Sequence, residues 1–200
     1  LLLVLAVPHE VMGQGLPEGL RDGWLRPLWR HPLVRIPYRL VQGPLIAGGL
    51  FVGLVALVLY PPVHFAAMLD VTLYKALNWA MVADGLLFWW LILDPRSPAG
   101  GARLGFGIRL LLLWAIMLPQ IAMGAALALN DSVVYAVYQV CGRAWPISPL
   151  LDQQLGGLLT WIPAAMMSVV AALLVLRLWL RHSEAGAGAR GAPEPAEGEA

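Results

Sequence analysis

The chain has 200 residues, 60% of them hydrophobic and only 12% charged, with 13 basic against 12 acidic side chains and a formal net charge of +1. Soluble domains carry about a quarter charged residues, so this composition excludes an ordinary soluble domain and describes an integral membrane protein. Its basic residues sit beside tryptophan and leucine rather than in an open charged patch, which excludes a nucleic-acid partner.

In chain order, residues 1–7, "LLLVLAV", are apolar but too short to cross a hydrocarbon core about 30 Å thick, which takes roughly 20 residues. They lack the basic start and small-residue cleavage site of a signal peptide. They are read as the end of a helix whose beginning precedes the numbered chain, so the sequence is expected to be a fragment. Residues 8–40 interleave Trp24, Leu25, Leu28, Trp29, Leu33 and Ile36 with Arg21, Arg26, Arg30, Arg35 and Arg39. That pattern predicts a basic interfacial segment in the headgroup layer, in contact with anionic lipid.

Four stretches are long and apolar enough to span: 41–60, 73–93, 110–129 and 155–179. The fold class is therefore all-α, a polytopic transmembrane bundle of four full spans within a helical domain over 1–182, plus the end of the truncated preceding helix. Basic residues flanking spans stay on the cytoplasmic side. Those before the first span, Arg96, Arg103 and Arg109 after the second, and Arg177 and Arg181 after the fourth put these regions and the C-terminus in the cytoplasm. The connections at 61–72 and 130–151 then face outward. Residues 183–200, rich in glycine, alanine, proline and glutamate, cannot build a core and are expected to be a disordered cytoplasmic tail.

Gly49 and Gly53 in the first span, and Thr160, Ala164, Ser168 and Ala172 in the fourth, are small residues four apart, the spacing that lets membrane helices approach closely. Trp89, Trp90, Tyr138, Trp145 and Trp179 suit the aromatic belts at the two interfaces. Pro119 and Pro163 are expected to kink the third and fourth spans.

No nucleotide loop, zinc spacing or nucleophile elbow occurs, so neither a nucleotide cofactor nor an enzyme is expected. His9, His31, His64 and His182 all fall outside the four spans, which argues against haem. The outward side does carry soft donors. His64 and Met68 are four apart, Met123 lies in the outer third of the third span, and Cys141 is in the other outward loop; imidazole, thioether and thiolate suit Cu(I). Copper is thus the candidate cofactor, although methionine is commonly a packing residue.

In "LNWAMVADGLLFWW" the second span holds Asn78 and, near mid-depth, Asp84. A carboxyl there faces the bundle interior or a partner. It is either hydrogen-bonded to a neighbour such as Gln120 or Ser168 or forms a proton or cation site. In "SPLLDQQLGGLLTW", Ser148 and Pro149 start a helix, and Asp152 in its first turn suits the helix dipole. Gln153 and Gln154 point to different faces, so at least one looks inward, and Gly156 and Gly157 read as room for a neighbouring helix.

The order "LYPPVHFAAML", "GLLFWW", a third span with a mid-helix glycine, then "DQQLGG" followed by Trp161 resembles the CtaG-type cytochrome c oxidase assembly factors of bacteria, over roughly residues 1–180. The resemblance implies a multi-pass protein of the bacterial inner membrane that assists copper delivery to the copper B centre of haem-copper oxidases. Its implied partners are oxidase subunits or another membrane complex, the lipid bilayer and a periplasmic copper carrier. Where it implies histidines, at the end of the outward-going span and as a His-x-x-x-His pair on the next, this chain has Tyr60, Tyr74 and Asn78. A non-catalytic accessory subunit that has lost those copper ligands is therefore the alternative expectation.

Overall fold

In a computed structural model of the chain, residues 31–94, 104–135 and 146–190 are described. They form six helices and, among the described residues, no strand. The helices are α1 (Pro32–Val41), α2 (Pro44–Leu59), α3 (Pro61–Leu69), α4 (Val71–Ile92), α5 (Phe106–Ala128) and α6 (Pro149–Arg190).

Several starts follow directly from local chemistry. Pro32, Pro44, Pro61 and Pro149 each open a helix at a position where the missing N–H is no loss. The Nδ1 of His31 accepts from Leu33 N at 3.4 Å to begin α1. The Asp70 carboxylate accepts from Thr72 N and Leu73 N at 2.7 and 3.3 Å to begin α4.

The part of the basic segment that is described, α1, is a helix whose Leu33, Ile36 and Leu40 recur at helical spacing and are exposed. Just after it the buried Gln42 donates through Nε2 to the carbonyl of Leu87 at 3.0 Å, tying the α1–α2 junction to α4. Tyr60 is extended, as a residue before proline prefers, and there the chain turns by 69° from α2 into α3. The outward connection expected at 61–72 is thus largely a short helix.

By length and apolar content, α5 and Pro149–Ala185 of α6 can each cross a membrane, and counting the bent α2–α3 pair as one span gives up to three. The chain is a helical membrane protein. Of the four expected spans, the remaining one corresponds to α4, which has 22 residues but is interrupted by Lys75, Asn78 and Asp84.

The core sits at one end of the bundle, where α4 finishes, α5 begins and α6 leaves. Phe88, Trp89, Ile92, Leu113, Ala171 and Val175 meet there, with Ala47 of α2 beneath them. Phe51 stacks on Phe88 at 4.4 Å, and Trp89 stands edge-on to both. Trp89 is therefore a core residue and not part of an interfacial belt, because its face of α4 turns toward α2. Arg109, expected only as a cytoplasmic marker, is fully buried in this end. Its Nε donates to Leu104 O at 3.0 Å, and its Nη1 donates to Asp94 O and, at 3.4 Å, to Ile92 O. The guanidinium thus caps carbonyls at the end of α4 that have no helical partner.

The α5–α6 pair is the most extensively packed. Its close approach is made by glycines. A Cβ on Gly157 would meet Ala128 N at 2.6 Å and Gly124 O at 2.8 Å, and one on Gly124 would meet Trp161 Cβ at 2.5 Å. The buried stripe of α6 runs through Gln153, Gly157, Ser168, Ala171 and Val175, with the Ser168 hydroxyl donating to the carbonyl of half-buried Ala164 at 3.0 Å. It drifts from the strict four-residue ladder expected because the helix has 3.6 residues per turn. Gly156 lies on the open side, with nothing among the described residues within 4 Å of its would-be Cβ.

The same is true of Gly49 and Gly53, so the packing expected of that pair is not made within the described residues; it falls on Gly48, against Leu112 and Ile116. Both α5 and α6 run continuously through Pro119 and Pro163. Helix α6 also continues into the segment expected to lack structure, through 183–190, since extending a formed helix needs no new nucleus. Residues 1–30, Cys141, Tyr138, Trp145 and 191–200 lie outside the described residues.

Candidate functional site

At the other end of the bundle, where α2 breaks into α3, α4 and α6 begin and α5 finishes, the helices diverge and leave two cavities that share His64. The first, about 280 Å³, lies between α3 and the start of α6 and is lined by His64, Tyr135, Asp152, Gln153, Gly157 and Thr160 among others. The second, about 230 Å³, lies between α3 and α4 and is lined by His64, Met68, Tyr74, Asn78 and Met81 with Val58, Ala67 and Leu77.

His64 is placed by the break at Tyr60. Its Nδ1 is 3.3 Å from the carbonyl of Val58, and its ring centroid is 4.9 Å from that of Tyr135, whose hydroxyl donates to Leu59 O at 2.6 Å. The last carbonyls of α2 are thus taken up by the two aromatic groups beside the first cavity. An imidazole that gives one N–H to a backbone carbonyl is oriented as metal-binding histidines commonly are.

Of the four candidate copper donors, His64 and Met68 line one cavity; Met123, on α5, lines neither, and Cys141 is outside the described residues. The structure adds Met81. It stands seven residues after Tyr74 and three after Asn78, hence on their face of α4. Reading α4 as a helix with Tyr74 and Asn78 on one face would have found it. Asn78 is exposed and donates through Nδ2 to Tyr74 O at 2.9 Å, bonding back one turn along its own helix. Among the described residues there is no group of three or more His, Cys, Asp and Glu that could hold a metal ion, so a site here depends on thioethers.

The "DQQ" cluster works as a clamp. Buried Gln153 accepts at Oε1 from Val134 N at 2.7 Å and donates from Nε2 to Ser132 O at 3.1 Å, while Gln154 Nε2 donates to Asn130 O at 3.3 Å. Both amides satisfy backbone groups of the chain leaving α5, and they hold it over the first turns of α6. Asp152 is half-buried and lines the first cavity. Ser148 Oγ accepts from Leu151 N at 3.2 Å as a helix cap.

Asp84 is elsewhere, midway along α4, where it lines an apolar groove against α2. Neither neighbour expected to bond it does so. Ser168 is engaged with Ala164, and no hydrogen bond links Asp84 to Gln120, which is buried on α5.

Fold and site together define a helical membrane protein with a polar clamp and two small cavities at one end. The family of cytochrome c oxidase caa3 assembly factors matches residues 1–182, and the chain belongs to that family. No curated protein and no solved structure matches it.

Proposed function

We propose that this protein is a non-catalytic assembly factor that assists copper-centre maturation in a haem-copper oxidase of the bacterial inner membrane. In this reading α2 with α3, α4, α5 and α6 make four crossings, the C-terminus is cytoplasmic, and the two cavities open toward the periplasm, where a copper carrier would meet them. Family membership supports the oxidase as the client.

The observation that carries the copper half is one cavity lined by His64, Met68 and Met81. An imidazole with two thioethers is a neutral, soft donor set that suits Cu(I) and disfavours hard cations. Copper here is cargo, bound and passed on. The test is a Cu(I) competition titration of the purified full-length protein: near-stoichiometric binding is expected, weakened by His64→Ala, Met68→Leu and Met81→Leu. No copper above background, or binding indifferent to all three changes, overturns the copper half.

A second reading is an accessory subunit that has lost the copper ligands. It is favoured by Tyr60, Tyr74 and Asn78 at the positions where the resemblance implies histidine, and by the Asn78 amide being turned back onto its own helix. It predicts stoichiometric co-purification with the mature oxidase, whereas an assembly factor is released once the centre is filled.

A further inference from the structure

The groove between α2 and α4, about 460 Å³ in volume, has apolar walls that include Leu54, Ala80 and Leu87, with Gly49 and Gly53 on one side and the Asp84 carboxyl on the other. Among the described residues Asp84 has no hydrogen-bond or ion-pair partner. In the reading in which α4 crosses the membrane it stands near mid-depth, where a charged side chain is costly unless a partner meets it. The groove thus presents an unmatched acceptor surrounded by hydrocarbon.

The chemistry of the missing partner can be narrowed. A lipid chain fits an apolar groove but brings no donor to a carboxyl. Within the described bundle no base meets it, because Arg109 is buried and already bonded, and Lys75 lies nine residues from Asp84 on α4, about 13 Å by helix rise. Opposite the carboxyl, nothing among the described residues lies within 4 Å of where a Cβ on Gly49 or Gly53 would stand, so among them the backbone of α2 is bare to whatever enters. A rod of helix dimensions can then come close enough for its side chain to reach across.

We propose that this groove receives a membrane-spanning helix of another protein that carries a lysine or arginine at the depth of Asp84, the two charges meeting inside the groove. Leu57 and Ala80 of the groove are chain neighbours of Val58 and Met81, which line the cavity of His64 and Met68. A docked helix would therefore end beside that cavity, but the proposal does not depend on copper binding there.

The test uses the full chain in phosphatidylcholine and phosphatidylglycerol vesicles with two fluorescent leucine-rich helices of roughly 20 residues, one with a central lysine and one without. The lysine helix is expected to associate about tenfold more tightly, the scale of interhelical polar contacts in model peptides. Asp84→Asn should abolish that margin and Asp84→Glu keep it. Gly53→Leu, which fills the groove without touching the carboxyl, should weaken the lysine helix. Equal association of both helices would mean that any apolar occupant suffices. That result, a lysine margin that survives Asp84→Asn, or displacement of the peptide by a second copy of the chain overturns the proposal.

Discussion

Gly124 of α5 faces Trp161 of α6 so closely that a Cβ would stand 2.5 Å from the tryptophan Cβ and 2.6 Å from its Cδ1. The largest side chain of the "DQQLGGLLTW" segment thus rests on a residue that has none. The contact lies one turn from the Gly157 approach to Ala128, so the two glycines let α5 and α6 share one tight seam. Because packing is what holds helices together in lipid, Gly124→Ala should cost about 1–3 kcal/mol through forced displacement. Gly156→Ala, on the open side, should be close to neutral. Unfolding of the two variants in mixed micelles, compared with the parent, checks the contrast.

The indole N–H of Trp161 is buried in this seam without a partner among the described residues. Trp161→Phe removes that unsatisfied donor and keeps a ring in place. It should therefore be better tolerated than Trp161→Ala, which leaves a cavity worth about 3–5 kcal/mol. The same unfolding measurement ranks them.

Gln153 holds two backbone groups at once, Val134 N and Ser132 O. Gln153→Leu strands both and should cost about 1–3 kcal/mol for each group left buried and unpaired. Because the lesion is local, its readout is faster hydrogen exchange at Val134, with the exchange of α5 little changed.

Arg109 reaches Leu104 O, Ile92 O and Asp94 O from within the core. Lysine has no planar fork to serve three separate carbonyls, so Arg109→Lys and Arg109→Met should both loosen the junction between α4 and α5. Protease accessibility near Asp94 should rise in each variant, and the Cu(I) titration should not change, since the cavities are at the opposite end.

Met81 and Met123 separate the structural reading of the copper donors from the one taken along the chain. Met81→Leu should weaken Cu(I) binding by about tenfold or more if a thioether ligand is lost, whereas Met123→Leu, which lines neither cavity, should leave it unchanged. A reversed outcome would place the donors on α5.

Much of the helical architecture was legible residue by residue. Prolines at helix starts, the Asp70 and Ser148 caps and long apolar runs act locally, so they predict elements without knowledge of their neighbours. Which face of each helix is buried is a property of pairs. Gly48 and Gly49 are adjacent and chemically identical, yet only Gly48 meets α5, because α2 presents one face to α5 and turns the next position outward. Trp89 departs from the interfacial expectation for the same reason, since a tryptophan near a span end suits an interface equally well until Phe51 and Phe88 pack against it.

The sequence by itself determined that this is a helical membrane protein, and the order of its motifs placed it among the oxidase assembly factors. Those features are carried by composition, by local caps and by residues in linear order. Only the tertiary structure decided that Gln153 and Gln154 clamp the chain leaving α5, that Met81 joins His64 and Met68, and that Asp84 faces a groove rather than Gln120. Each of these depends on how far and at what angle one helix stands from another. That geometry is set by a few glycines and one buried arginine acting across the bundle, at sequence separations that no local pattern records.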